Sequence, residues 1–139
     1  MATRTARLGH AAAAVATIVL GLALRANRRA LPAALADVLG DALWAAMMFW
    51  WIGALAPRAS LRARAGAALA VAWAVELSQR WRAPWLVALR ATRLGHLVLG
   101  ADFDARDLAA YAVGVAGAAA CAAAFAAVLA WRPSRARPG

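Results

Sequence analysis

The sequence predicts an all-α membrane protein: a four-transmembrane-helix bundle with a short interfacial or re-entrant element between helices 3 and 4. Of its 139 residues, 65% are hydrophobic, and the mean hydropathy is +0.64. The apolar residues are gathered into four stretches, each long enough to cross a hydrocarbon core as a helix. These stretches are residues 8–24, 38–56, 61–79 and 108–131. We interpret residues 1–131 as a single integral-membrane domain and residues 132–139 as a short basic C-terminal tail.

The first apolar stretch has the appearance of a secretory signal peptide. Arg4 and Arg7 precede it, and Arg25 follows it. A small-x-small cleavage site is not evident at its end, so we expect an uncleaved first helix.

The connection between the third and fourth stretches, residues 81–103, is rich in Trp, Leu and Val. Arg90 and Arg93 in its middle make it a poor spanning helix. A proline suits the first turn of a short helix over residues 84–91, and a second short piece is predicted over 94–99. We expect this element to lie in the membrane interface or to dip into it under protein cover.

Charge and composition exclude several classes of protein. The net charge of +10 comes from loops and tails, and too little polar sequence is present to build a nucleic-acid-binding face. We expect contact with membrane lipid and its anionic headgroups instead, and no nucleic acid. One cysteine and two histidines do not suffice for a zinc-type cluster, so we expect no metal and no cofactor.

Polar residues occur where the apolar stretches begin and end. In an up-down-up-down bundle these ends share one membrane face with the connection at 81–103. Tyr111 and Trp44 fall on the same helical faces as the neighbouring acidic residues. The sequence therefore predicts one polar cluster, formed by Arg25, Asp41, Trp44, Glu76, Gln79, Arg90, Arg93, Asp107 and Tyr111.

Glu76 is the most informative member of this predicted cluster. It lies near a helix C-terminus, where its charge opposes the helix dipole, and inside the apolar boundary. A carboxylate in such a place is either neutral or paired with a cation. We expect Arg90 or Arg93 to be its partner.

The aspartates allow a second interpretation. Asp37, Asp41 and Asp107 precede or open predicted helices, where a carboxylate favourably meets the positive end of the dipole. Helix capping and membership of a polar site both remain open for them.

The sixteen basic residues, all arginine, divide equally between the two sides of a four-helix bundle. One set lies among acidic partners, whereas the other has none nearby and is typical of cytoplasmic anchoring. We expect a multi-pass protein of the bacterial inner membrane with cytoplasmic termini and with the polar cluster on the outer face.

Several motifs resemble one known family. In chain order they are Gly21-Leu22-x-x-Arg25, Gly40-Asp41-Ala42-Leu43-Trp44, Glu76-x-Ser78-Gln79, Ala83-Pro84-Trp85, Leu89-Arg90-Ala91-Thr92-Arg93-Leu94-Gly95 and Tyr111-x-x-Gly114. The order and spacing resemble the bacterial integral-membrane family catalogued as domain of unknown function 2809, over about residues 21–114. The resemblance implies a membrane fold and no particular biochemistry.

A second resemblance covers fewer residues. Glu76-x-x-Gln79, Arg90 and Asp107 are similar to a pattern in VanZ-like membrane proteins, which are associated with teicoplanin resistance. This chain has Tyr111 where VanZ-like chains usually carry Asn before the final Gly. The resemblance implies a role in the cell envelope.

Three function classes follow from the sequence. The first binds or handles an anionic, lipid-linked envelope molecule: Arg90 and Arg93 hold its phosphate or carboxylate, while Glu76, Gln79 and Asp107 orient the arginines and accept hydroxyl donors. The second is a structural or assembly protein whose ionic cluster only locks the bundle. The third, less favoured because no activated nucleophile is evident, is a lipid-modifying enzyme using carboxylate acid–base chemistry. The oligomeric state stays open.

Overall fold

The computed structural model describes residues 2–100 and 102–131, so the predicted basic tail lies outside the described residues. The described chain is helical and contains no strand, which confirms the all-α prediction. Its elements are α1 (Ala2–Ala26), a 3-10 helix (Arg28–Ala30), α2 (Ala33–Leu55), α3 (Leu61–Ser78), α4 (Pro84–Ala91), α5 (Arg93–Leu99) and α6 (Ala105–Ala130).

Three helices are long and apolar enough to cross a membrane: α1 from Thr3 onward, α2 and α6. The third predicted stretch does form a helix, α3. However, α3 carries Arg62, Arg64 and Glu76 within 18 residues, and it is not one of these three helices. The fold is therefore all-α, with three candidate membrane spans where the sequence predicts four.

Helix α2 lies at the centre of the bundle and packs against α1, α3 and α6, while α3 also packs against α6. Small residues dominate the core, so the helix backbones approach closely. A Cβ atom at Gly114 would collide with the backbone carbonyl of Ala42, which shows how near α6 lies to α2. The buried core residues are Ala45, Phe49, Ala68, Ala72, Tyr111, Val115 and Ala118.

At one end of the bundle, Arg64 of α3 connects this helix to α1 and α2. Its Nη1 donates to Nε2 of His10 on α1 at 2.9 Å, because a guanidinium cannot accept a hydrogen bond. Its guanidinium also lies over the ring of Phe49 on α2, 5.4 Å from the ring centroid. Arg64 therefore contacts both α1 and α2 and positions three helices at this end.

The predicted connection forms two short helices, α4 and α5, joined by a sharp corner. Thr92 fixes this corner, because its hydroxyl donates to Leu89 O at 2.7 Å and accepts from Gly95 N at 3.0 Å. A side chain at Gly95 would collide with the Leu89 carbonyl, so only glycine fits. The corner places Arg90 at the end of α4 and Arg93 at the start of α5.

The start of α2 corrects the capping interpretation of two aspartates. Helix α2 begins at Ala33, five residues before the predicted stretch, and its first turn contains no acidic residue. Asp37 and Asp41 therefore lie inside the helix, and Asp37 forms an exposed ion pair with Arg28 at 2.8 Å. Asp107, in contrast, does lie in the first turn of α6.

Candidate functional site

Glu76 has no exposed surface, and its carboxylate accepts three hydrogen bonds. Oε2 accepts from Tyr111 Oη at 2.8 Å and from Gln79 Nε2 at 2.9 Å, and Oε1 accepts from Asp104 N at 2.8 Å. Within the described residues Glu76 makes no ion pair, so the expectation of an arginine partner is wrong. Neutral donors from the start of α6 and from the end of α3 take the place of a cation.

The position of α6 explains how a buried carboxylate is tolerated without a cation. The donor Asp104 is the N-cap residue of α6, and its own side chain accepts from Arg106 N at 2.9 Å. The positive end of the α6 dipole therefore lies beside Glu76. Hydrogen bonds to a charged acceptor are among the stronger ones in proteins, and three of them offset much of the cost of burial.

Arg90 bonds to other groups at the end of α3 and not to Glu76. Its Nη1 donates to Trp81 O at 3.1 Å, and its Nη2 donates to Ser78 Oγ at 3.0 Å. The side chain is 7% exposed, and its Nε is buried without a hydrogen-bond partner in the described chain. These bonds attach α4 to α3, and they leave the Nε–H donor of the guanidinium group without an acceptor among the described residues.

A second group of polar residues lies between α2 and α6. The carboxyl groups of Asp41 and Asp107 are within hydrogen-bonding reach of each other, and both interact electrostatically with Glu76. The ring of Trp44 packs on that of Tyr111 with 5.6 Å between the centroids. We call Asp41, Trp44, Glu76, Asp107 and Tyr111 the carboxylate cluster.

A cavity of about 770 Å³ lies beside the carboxylate cluster, between the end of α1 and the α4–α5 corner. Four of its described lining residues are arginines, one is a histidine and none is acidic. We call it the arginine cavity. It is lined by Leu22, Arg25, Gln79, Arg82, Val87, Arg90, Ala91, Thr92, Arg93, His96 and Leu97.

The structure therefore distributes the predicted site residues over two adjoining places. Arg25, Gln79, Arg90 and Arg93 line the arginine cavity, and the other five form the carboxylate cluster. Gln79 connects the two places, because it lines the cavity and donates a hydrogen bond to Glu76 of the carboxylate cluster.

Sequence reasoning missed several lining and supporting residues. Arg82 and His96 line the cavity, while Ser78 and Asp104 hold Arg90 and Glu76 in place. Helical spacing gave a signal for His96, since it lies three residues after Arg93 and so on the same face of α5. The sequence contains no comparable signal for Asp104, whose contact is made by its backbone.

A family model described as "Protein of unknown function (DUF2809)" matches residues 30–115. The chain belongs to the DUF2809 family. No solved structure matches it. The similarity to VanZ-like proteins stays a prediction.

For this DUF2809 protein, the matched segment contains the whole carboxylate cluster and most of the arginine cavity. It runs from the 3-10 helix through α5 and into the first half of α6. Leu22 and Arg25 of α1 lie outside it, although they line the cavity.

Proposed function

We propose that this protein is a multi-pass protein of the bacterial inner membrane that binds an anionic, lipid-linked molecule of the cell envelope in the arginine cavity. The observation that carries the proposal is a cavity of about 770 Å³ with four arginines and no acidic residue among its described lining residues. This volume suits a small-molecule group. Guanidinium groups bind phosphate and carboxylate in a bidentate manner.

The surroundings of the cavity suit an amphiphile. Leu22, Val87 and Leu97 line the cavity together with the arginines. Trp81 and Trp85 are both largely exposed and pack edge to face, which is typical of side chains at headgroup level. Basic pockets at a membrane boundary are suited to anionic headgroups. A lipid fits both the basic and the apolar parts of these surroundings when its phosphate lies beside the arginines and its acyl chains lie along the apolar helices.

The proposal includes a fourth span, formed by α3. Helix α3 has 18 residues, about 27 Å in length, against a hydrocarbon core of about 30 Å. Its first turn reaches His10 through Arg64, and its last turn reaches Tyr111 through Glu76. Helix α3 packs on α2 and α6, and its charged residues Arg64 and Glu76 both contact these or other neighbouring helices rather than lipid.

Cysteine labelling tests this topology. In a Cys121→Ala background, Ser60→Cys precedes α3 and Ala105→Cys begins α6. With four spans and cytoplasmic termini, a membrane-impermeant thiol reagent applied to intact cells labels Ala105→Cys and not Ser60→Cys. Labelling of both sites from one side would remove α3 from the spans. The reverse pattern would invert the orientation.

Lipid retention tests the binding site. Arg93 is exposed and has no ion-pair partner in the described chain, so Arg93→Gln removes cavity charge without breaking a structural contact. Purified wild-type protein should retain phosphatidylglycerol over phosphatidylcholine in native mass spectrometry. Arg93→Gln should lower this retention about tenfold, the cost of one charge-assisted hydrogen bond. Arg93→Lys should recover it only in part, because lysine lacks the planar fork.

Arg62→Gln is the matched control, because Arg62 is an exposed arginine in the first turn of α3, at the end of the bundle away from the cavity. It should leave lipid retention unchanged. Equal retention of both lipids by the wild-type protein would overturn the proposal.

A structural role is the second candidate, and the Glu76 network favours it. Three protein donors satisfy this carboxylate, and Arg90 is bonded to the end of α3, so both residues stabilise the bundle without any ligand. If the polar residues only lock the bundle, Arg93→Gln changes neither stability nor lipid retention. Selective loss of lipid at wild-type stability therefore separates binding from bracing.

A further inference from the structure

Two buried polar atoms of opposite character lie on residues that line the arginine cavity. Arg90 Nε is a hydrogen-bond donor, and Gln79 Oε1 is an acceptor. Each belongs to a side chain that is 7% exposed, and neither has a hydrogen-bond partner in the described chain. Buried polar groups in native proteins are nearly always satisfied. Because both residues line the same cavity, a molecule bound there can supply the missing acceptor and the missing donor.

The orientation of the Gln79 amide is determined by its neighbours. Its Nε2 donates to Glu76 Oε2 at 2.9 Å and to Leu99 O at 3.0 Å. Both partners are acceptors, so an amide flip would set the Gln79 oxygen against two other oxygens. Glu76 and Leu99 therefore hold Oε1 as a fixed acceptor, which only a hydrogen-bond donor can satisfy.

A phosphodiester alone satisfies one of the two atoms. Its oxygens accept from Arg90 Nε and from the exposed arginines, but it carries no hydrogen to donate to Gln79. A hydroxyl beside the phosphate supplies that donor. An ethanolamine ammonium also donates, but it would be placed among four arginines and repelled, and a choline group has no N–H or O–H donor.

We propose that the ligand of the arginine cavity is a hydroxylated phosphodiester headgroup of the glycerol, inositol or sugar class, with its phosphate at Arg90 Nε and a hydroxyl donating to Gln79 Oε1. This inference rests on the proposed function and deepens it. Arg93 contributes charge for any anion, whereas Gln79 distinguishes a hydroxylated headgroup from a bare phosphodiester. Glu76 is then a positioning residue, since it fixes the Gln79 amide.

The test compares two lipids with the same acyl chains and the same single negative charge. Phosphatidylglycerol carries hydroxyls, and phosphatidylmethanol carries a methyl group in their place. Phosphatidylcholine gives the baseline, and retention by the purified full-length protein is measured by native mass spectrometry. The wild-type protein should retain phosphatidylglycerol about tenfold more strongly than phosphatidylmethanol, as expected for one buried hydrogen bond.

Two variants divide the effect. Gln79→Met keeps the size of the side chain and removes the Oε1 acceptor together with the bonds to Glu76 and Leu99, so the two anionic lipids should become equal. Arg93→Gln should weaken both by the same factor and keep their ratio. If Gln79→Met fails to fold, the ratio measured on the wild-type protein alone still decides the question.

The possible results separate the two proposals. Equal retention of both anionic lipids, above phosphatidylcholine, overturns this inference and leaves the proposed function standing. Equal retention of all three lipids overturns both. A preference for phosphatidylglycerol that survives in Gln79→Met overturns the role of Gln79. Soluble glycerophosphoglycerol is added as a competitor. If it displaces bound phosphatidylglycerol, the natural ligand is a soluble molecule with this headgroup chemistry; if it does not, the natural ligand is a lipid with the same chemistry.

Discussion

The Tyr111 hydroxyl donates to the Glu76 carboxylate at 2.8 Å, across the contact between α6 and α3. Both side chains are buried, and they lie 35 positions apart in the sequence. The bond joins the start of one helix to the end of another. It also supplies one of the three donors that take the place of a cation at Glu76.

Replacing Tyr111 with Phe removes this donor and keeps the ring against Trp44. We expect the free energy of unfolding to fall by about 1.5–3 kcal/mol, as for a hydrogen bond to a charged group. Unfolding in one fixed detergent measures the change. The control is Thr17→Val, which removes a hydroxyl whose bond to Ala13 O lies within α1. Equal effects of the two changes would contradict a special role for the Glu76 contact.

The close approach of α6 to α2 makes Gly114 sensitive to substitution. Gly114→Ala places a methyl group against the Ala42 carbonyl, so the two helices must separate. We expect a loss of about 1–3 kcal/mol in the free energy of unfolding, the usual cost of overpacking. Gly117→Ala on the same helix is the matched control, because a Cβ there meets nothing within 4 Å. The control should be neutral or stabilising, and the same loss in both variants would contradict the packing argument.

Gly100 ends α5 with a φ of +64°, and a Cβ atom there would lie 2.6 Å from Gln79 Nε2. Gly100→Ala therefore adds backbone strain and displaces the Gln79 amide. We expect a stability loss of about 1–3 kcal/mol from the strain. Phosphatidylglycerol retention should fall as well. Gly21→Ala, which has open space at the end of α1 near the cavity, should leave both quantities nearly unchanged.

At the opposite end of the bundle, His10→Phe leaves Arg64 Nη1 without its acceptor, and Arg64 Nε is already buried and unpartnered in the described chain. We expect the free energy of unfolding to fall by about 1–3 kcal/mol. Adding Arg64→Leu removes the unpaired charge and should recover part of the loss in a double-mutant cycle. The exposed Arg62→Leu is the control. If the stability losses of His10→Phe and Arg64→Leu were strictly additive in the double mutant, the His10–Arg64 bond would contribute no stability.

Local sequence patterns predicted each α-helix of the described chain but not all of the helix bounds; α1, for example, begins at Ala2 rather than at residue 8. Continuous apolar runs predicted α1, α2 and α6, and Pro84 predicted where α4 begins. The start of α2 was predicted five residues late, because hydropathy alone does not register a helical turn that carries Asp37. Composition does not decide whether α3 spans the membrane, since Arg64 and Glu76 fit in an apolar stretch only where other helices cover them.

Local sequence patterns are enough to predict an all-α fold with membrane-length helices and polar residues at helix ends, because apolar run length and helix polarity are local properties. Which polar groups bond to one another depends on how the helices pack. The partner of Glu76 is the start of α6 rather than Arg90, since the guanidinium group of that arginine bonds to Ser78 and Trp81 instead. Whether two groups form a hydrogen bond depends on differences of a few tenths of an ångström in the distance between them. When the groups lie on elements far apart in the chain, sequence spacing carries no such information.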